Sequence, residues 1–168
     1  MSHQRSEALK EEKFREMMSV KQNTIEREVT ISGKGLHTGV EVTITFKPAP
    51  ENFGYKFKRI DLIGEPVIEA NVSKVRGTSR GTVLKDGDVV ISTIEHVMAA
   101  LIGTGIDNVL IEMNGPEAPI LDGSAGPYVK ILSEAGIVAQ HADVEYFEIK
   151  RIIQKRGVKI KQLGPSQH

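Results

Sequence analysis

Alternating apolar and polar positions mark strands in the first half of the chain. Residues 24–31 and 40–46 alternate and are rich in β-branched side chains, which favours strands with one buried face. Between them, residues 32–39 contain three glycines, so a tight connection is predicted there. Residues 54–60 and 66–70 are further candidate strands.

Two later segments have the periodicity of an amphipathic helix. The first helix is predicted over residues 93–102 and the second over about 125–135. An apolar strand is predicted at 107–113, and hairpins are predicted at 81–92 and 142–163. This order of elements predicts an α+β fold, a two-layer sandwich of a mixed or antiparallel sheet with two helices packed on one face.

Length and composition indicate one ordinary domain with short extensions. The 168 residues include 22 basic and 22 acidic side chains and no cysteine. The lack of cysteine excludes disulfides and Cys-based zinc sites and fits a reducing cytoplasm. No apolar run approaches the roughly 18 residues of a membrane span, and the N-terminus lacks the apolar core of a signal peptide. A cytoplasmic location is therefore expected.

The pattern divides the chain into three stretches. Residues 1–17 are predicted to be a helical extension, and Met18 would suit a start codon, so this extension is a candidate appended segment. Residues 18–143 form the predicted domain, and 144–168 form a hairpin or tail. Residues 149–168 contain six basic and no acidic side chains. They are thinly spread and lack aromatics, which favours a solvated strand face over nucleic-acid binding.

The most informative pair of side chains is Glu95 and His96, at the start of the first predicted helix. The apolar stripe of this helix consists of Ile94, Val97, Met98 and Leu101. At about 100° per residue, His96 lies roughly 200° from Ile94, with Glu95 between them, so both lie outside the stripe. An acid beside a metal-ligating residue type is an arrangement that a metal-assisted hydrolase could use.

A structural explanation of the same residues stays open. Ser92 and Glu95 have the spacing of a capping box, in which the serine side chain accepts a hydrogen bond from the Glu95 backbone N–H. A carboxylate also suits the positive end of the helix dipole. Under this explanation His96 is an ordinary exposed histidine, and the domain is a non-catalytic binding or assembly module.

Three segments, taken together, resemble one family. They read SGKGLHTG (32–39), STIEHVMAAL (92–101) continuing into GIDN (105–108), and NGPEAPILDGSA (114–125). In order and spacing they are similar to the N-terminal half of the zinc-dependent UDP-3-O-acyl-N-acetylglucosamine deacetylases of lipid A synthesis. The similarity covers roughly residues 20–163. The variant GYKFKRID (54–61) resembles the form in which this deacetylase is fused to a 3-hydroxyacyl carrier-protein dehydratase.

The resemblance implies a role for two residues, Glu95 as the general base and His96 as one of three zinc ligands. It places the other ligands, a His and an Asp, in a second domain, of which residues 144–163 resemble only the opening hairpin. The implied cofactor is Zn²⁺ at a site incomplete in this chain, and the implied substrate is a UDP-sugar with an acyl chain. The chain alone is expected to be inactive. The absence of the second domain would expose an apolar face, which leaves self-association open.

Two further residues have competing explanations. His37 lies in the glycine-rich turn where the family also has a histidine, so a role near the site competes with a loop histidine that bonds the backbone. Asp122 begins an Asp-Gly-Ser sequence that is ordinary turn and N-cap chemistry. The alternative is that Asp122 orients a metal ligand or the general base.

Overall fold

The structure is a computed structural model that describes residues 20–79 and 81–145. It also describes the backbone of two short strands, Ile153–Lys155 and Val158–Ile160. The helical extension predicted for residues 1–17 lies outside the described residues. No helix of the described part is long and apolar enough to cross a membrane.

The described chain consists mainly of short strands with two α-helices. The first strands are β1 Lys21–Ile25, β2 Val29–Lys34, β3 Glu41–Pro48, β4 Tyr55–Arg59, β5 Val67–Glu69, β6 Val75–Gly77, β7 Val83–Asp86 and β8 Val89–Ser92, with a 3-10 turn at Val72–Lys74. The second half contains α1 Glu95–Thr104, β9 Val109–Met113, α2 Gly126–Glu134, β10 Ile137–Asp143, β11 Ile153–Lys155 and β12 Val158–Ile160.

The main sheet has five strands in the order β2-β3-β9-β4-β5. Strands β4 and β9 are parallel, and the other neighbouring pairs are antiparallel, so the sheet is mixed. A second sheet has the order β6-β7-β8, and β1 pairs with β10 in a two-stranded ribbon. Strands β11 and β12 form a hairpin within the predicted range 142–163, whereas residues 142 and 143 at the start of that range end β10, which pairs with β1.

One face of the main sheet packs against the two helices. In β3, Val42, Ile44 and Phe46 are fully buried, whereas the residues between them are partly exposed, as the alternating sequence predicts. Phe46 meets Tyr128 of α2 edge to face, with ring centroids 6.2 Å apart. Val97 and Leu101 of α1 belong to the same buried cluster. The predicted α+β fold with a mixed sheet and two helices is confirmed.

The opposite face of the sheet is polar. Hydroxyl groups pair across β2 and β3, with Thr30 Oγ1 3.0 Å from Thr45 Oγ1. On the neighbouring strands, Lys47 Nζ lies 2.8 Å from Glu112 Oε2, and Lys58 Nζ lies 3.5 Å from Glu112 Oε1. The polar residues at alternate strand positions therefore pair across neighbouring strands, on the face of the sheet opposite the helices.

The single strand predicted over residues 24–31 is wrong, because the structure has two strands there. The chain leaves the β1–β10 ribbon after Ile25 and joins the main sheet at Val29. In the break, the backbone N–H groups of Glu26 and Arg27 donate to the carbonyls of Gly136 and Ala135, at 2.9 and 3.3 Å. Glu26, Arg27 and Glu28 are all exposed, so burial does not alternate through the break.

Strand β6 was not predicted from the sequence. The division of the chain into residues 1–17, 18–143 and 144–168 stays a prediction. The β7–β8 hairpin is confirmed, with its two-residue turn at Gly87 and Asp88 rather than one residue earlier. Gly87 has φ of 56°, a left-handed conformation that glycine adopts without a steric penalty.

Candidate active site

Helix α1 begins directly after a sharp backbone turn at Thr93. The chain leaves β8 at Ser92, and Thr93 has φ of 57°, in the left-handed region that costs a β-branched residue about 1–2 kcal/mol. Two hydrogen bonds hold Thr93 there. Its backbone N–H donates to the carbonyl of Thr82 at 3.1 Å, and its hydroxyl donates to Glu117 Oε1 at 2.9 Å.

The capping-box explanation of Ser92 and Glu95 is wrong. Ser92 is the last residue of β8, and its hydroxyl donates to the Pro116 carbonyl at 3.3 Å. The N-cap residue is Ile94, and no side chain caps the helix there. Ser92 cannot serve as a cap because strand pairing with Val83 fixes its backbone two residues before the N-cap, Ile94. Glu95 does lie in the first turn of α1, where the positive end of the helix dipole stabilises a carboxylate.

Glu95 is exposed in the first turn of α1. Its Oε1 accepts a hydrogen bond from the backbone N–H of Thr82. Burial opposes ionisation, but hydrogen bonds from Thr82, together with the nearby imidazole of His96, outweigh it and hold the pKa of Glu95 below its usual value. The carboxyl group is therefore ionised at neutral pH and available as a proton acceptor.

His96 is half-buried, away from the apolar stripe of α1. The buried residues of this segment are Ile94, Val97, Ala100 and Leu101, and Met98 is half-buried. The predicted stripe is thus confirmed, with Ala100 as an additional member. His96 is close enough to both Glu95 and Asp122 to contribute to the lowered pKa of each carboxyl group. These three residues therefore interact electrostatically.

Asp122 lies in a turn before α2. Its Oδ1 accepts hydrogen bonds from the backbone N–H of Ser124 at 2.9 Å and from the Ser124 hydroxyl at 2.8 Å. These bonds are the main cause of its lowered pKa, with a smaller contribution from His96. The turn chemistry expected from the sequence is confirmed, whereas the N-cap of α2 is Ala125 and has no side-chain cap.

Glu117 is a functional candidate that sequence reasoning missed. This carboxylate is fully buried and accepts backbone N–H groups of His37 at 3.0 Å and Thr38 at 2.8 Å, besides the Thr93 hydroxyl. Burial raises its pKa, but these hydrogen bonds outweigh burial and the pKa is lowered overall. The signal in the sequence was a charged residue inside an otherwise apolar turn between Pro116 and Pro119.

The glycine-rich turn places His37 beside the candidate site. Its backbone N–H bonds Glu117, and the residue lines an open cavity together with Gly81, Ser92 and Thr93. Glu95 adjoins the same place, because a methyl group on Gly81 would come within 3.7 Å of Glu95 Oε1 and 3.4 Å of Thr93 Oγ1. The structure thus brings the glycine-rich turn and the helix start together, as neighbours of one cavity.

Within residues 20–79 and 81–145, no group of three His, Asp or Glu side chains is arranged to hold a metal ion. His96 contributes one imidazole, and its charge is among the causes that lower the pKa of the Glu95 and Asp122 carboxyl groups. Catalytic zinc sites usually have three protein ligands. These residues therefore fit part of such a site.

Comparison with known proteins shows the family of the chain. The family model described as UDP-3-O-acyl N-acetylglycosamine deacetylase (LpxC) matches residues 22–168. A bifunctional enzyme LpxC/FabZ of Porphyromonas gingivalis is 55% identical over 131 residues, which are 78% of this chain and 28% of the relative. The corresponding bifunctional enzyme of Bacteroides thetaiotaomicron is 52% identical over 82% of this chain and 30% of its own length.

A UDP-3-O-acyl-N-acetylglucosamine deacetylase of Methylococcus capsulatus is 44% identical over 80% of this chain and 44% of its own length. The chain thus spans less than half the length of these curated relatives. Two of the three carry the bifunctional name, in agreement with the resemblance of residues 54–61. Because the family model covers most of the chain, from residue 22 to its last residue, the chain belongs to the family of UDP-3-O-acyl N-acetylglycosamine deacetylases.

Proposed function

We propose that the longer enzyme containing this chain removes the N-acetyl group of UDP-3-O-acyl-N-acetylglucosamine in lipid A synthesis. This chain contributes the proton-transferring carboxylate of Glu95 and one metal ligand, His96. The observation that carries the proposal is the presentation of both side chains in the first turn of α1, outside its apolar stripe, with Glu95 ionised. Family membership supports the choice of reaction.

Glu95 has the properties of a general base for amide hydrolysis. The Thr82 backbone N–H fixes Oε1, so the carboxylate has a defined position before substrate binds. An ionised carboxylate can accept a proton from the attacking water and then donate it to the nitrogen of the leaving amine. The lowered pKa favours the proton-accepting form at neutral pH.

His96 fits one ligand position of a zinc site. A bound zinc ion polarises a carbonyl group and lowers the pKa of water to about 7. The remaining ligands are proposed to come from polypeptide beyond this domain, a view supported by relatives of which the chain covers only 28–44%. The absence of cysteine from all 168 residues supports a cytoplasmic location.

The proposal is tested with two pairs of variants in the full-length enzyme. Glu95→Gln is expected to lower kcat at least about a hundredfold while zinc content is unchanged, because it removes proton transfer but keeps the shape. The control Asp88→Asn changes an exposed carboxylate in the β7–β8 turn and is expected to leave kcat unchanged. A Glu95→Gln enzyme with the parent rate would overturn the assignment of the base.

His96→Ala is expected to lower both bound zinc and activity, because a catalytic zinc site that loses one of three ligands binds metal weakly. Its control is His141→Ala, which removes an exposed imidazole of β10. Zinc content is measured by atomic absorption on both proteins after dialysis. Equal zinc content in the two variants would show that His96 is not a ligand.

A further inference from the structure

Glu117 is a buried carboxylate to which the proposed chemistry assigns no role. Its side chain has no exposed surface, and an ionised carboxylate is costly to bury unless hydrogen bonds compensate. The segment around it is fixed between two strands. Ala118 N–H donates to the Ser92 carbonyl at 3.0 Å, and Ile120 N–H donates to the Lys34 carbonyl at 2.9 Å. Glu117 therefore lies where the end of β8 meets the end of β2.

On the β2 side, Glu117 holds the glycine-rich turn. The backbone N–H of His37 approaches both carboxylate oxygens, at 3.0 and 3.2 Å, and the N–H of Thr38 donates to Oε2 at 2.8 Å. The approach is so close that a methyl group on Gly35 would lie 2.4 Å from Oε2. Glycine at residue 35 is thus a requirement of this contact.

On the β8 side, Glu117 holds the turn that starts α1. The Thr93 hydroxyl donates to Oε1 at 2.9 Å, and Thr93 is the residue with the left-handed backbone. Thr93 N–H in turn binds the Thr82 carbonyl, and Thr82 N–H binds the Glu95 carboxylate. A continuous series of hydrogen bonds and short backbone links therefore joins Glu117 to Glu95.

The helix start needs such an anchor because its N-cap, Ile94, has no side-chain cap. A helix normally fixes its first turn by a side chain that accepts the free N–H groups. Here the direction of the first turn depends instead on the conformation of Thr93. A carboxylate that served only to close the glycine-rich turn would need the His37 and Thr38 contacts and not the contact with Thr93.

We propose that Glu117 is a positioning residue, which acts through the Thr93 hydroxyl to fix the turn that presents Glu95 and His96. This inference rests on the proposed deacetylase function. Glu117 itself touches neither substrate nor the reacting groups. Its effect is on the placement of the base and the ligand relative to the bond that is cleaved.

The test uses a matched pair of variants at Thr93 in the full-length enzyme. Thr93→Val keeps the branched shape and the backbone preference but removes the hydroxyl, whereas Thr93→Ser keeps the hydroxyl. We expect Thr93→Val to lower kcat by about tenfold or more with KM within about threefold, because small displacements of catalytic groups cost up to about a hundredfold in rate. Thr93→Ser is expected to stay within about threefold of the parent.

Two outcomes contradict the inference. They are an unchanged kcat in Thr93→Val, whether or not its thermal stability falls, and an equal loss of kcat in both variants. Glu117→Gln provides an independent variant that keeps the side-chain size, and its kcat is expected to fall while KM changes little. Glu95→Gln in the same assay separates this inference from the proposed function. If Glu95→Gln keeps the parent rate, the proposed function fails. If Glu95→Gln is inactive and Thr93→Val is normal, only the positioning role fails.

Discussion

Replacing Gly35 by alanine tests the packing around Glu117 directly. The added methyl group would lie 2.4 Å from Glu117 Oε2 and 2.4 Å from Thr38 Oγ1. Carbon and oxygen atoms in close contact prefer about 3.3 Å or more, so the carboxylate or the turn must move by about 0.9 Å. Neither can move freely, because Glu117 is fully buried and bonded to three donors.

The expected loss of stability combines two effects. Moving the carboxylate weakens at least one hydrogen bond to a charged group, which contributes about 1.5–3 kcal/mol. Overpacking of a filled site adds about 1–3 kcal/mol. Gly35→Ala should therefore lower the free energy of unfolding by about 2.5–6 kcal/mol. With a urea m-value of about 2 kcal/mol/M, the midpoint should fall by about 1.3–3 M.

The measurement is urea denaturation of the 168-residue chain, followed by circular dichroism. Gly103→Ala is the matched control, because Gly103 lies inside α1 and a methyl group there would meet nothing within 4 Å. Alanine is the better helix former by about 1 kcal/mol, so this control should raise the midpoint. If Gly35→Ala and Gly103→Ala shift the midpoint alike, the carboxylate is not held as tightly as described.

Further predictions concern buried polar groups. Tyr128→Phe removes the hydrogen bond from the Tyr128 hydroxyl to the Pro119 carbonyl, which is 2.7 Å long and buried, and should cost about 1–2 kcal/mol by chemical denaturation. Asn108→Ala removes the hydrogen bonds that the amide donates to Gln22 Oε1 and Gln140 Oε1 and accepts from the Gly54 N–H, and it should cost about 3 kcal/mol or more by the same measurement. A loss under about 1 kcal/mol would show that water replaces the amide.

Acid should destabilise the chain partly through Glu117. Its pKa in the folded state lies below the ordinary value of 4.5, so the unfolded chain binds this proton more readily. The contribution is fully present above about pH 4.5 and is lost as pH falls through the lower folded value. Glu117→Gln should therefore show a weaker dependence of stability on pH below 4.5 than the parent, measured by denaturation from pH 6 to pH 3. Parallel curves for the two proteins would contradict this prediction.

The sequence alone predicted those features that depend on the spacing of apolar residues along one strand or one helix. The alternation of Val42, Ile44 and Phe46 predicted the buried face of β3, because each side chain of a strand points to the face opposite its neighbours. The stripe on α1 likewise predicted which side of the helix faces the core and left Glu95 and His96 outside it. Both patterns depend on residues a few positions apart.

The sequence was insufficient where a hydrogen bond joins distant segments. The contact between His37 and Glu117 spans 80 residues, and the contact between Thr93 and Glu117 spans 24. The capping box failed for a related reason, since the Ser92–Glu95 spacing is correct but Ser92 belongs to a strand. A local motif predicts a contact only if the backbone conformation between its two residues is already known.

The left-handed conformation of Thr93 links these distant contacts to the candidate site. A threonine adopts it only when surrounding bonds outweigh the steric cost, and here those bonds come from Thr82 and Glu117. The conformation redirects the chain between β8 and α1, so that Ile94 turns into the core and Glu95 turns outward. The strain at Thr93 and the buried charge of Glu117 would each be destabilising alone. Because each compensates the other, the exposed Glu95 and the half-buried His96 can start a helix that has no side-chain cap of its own.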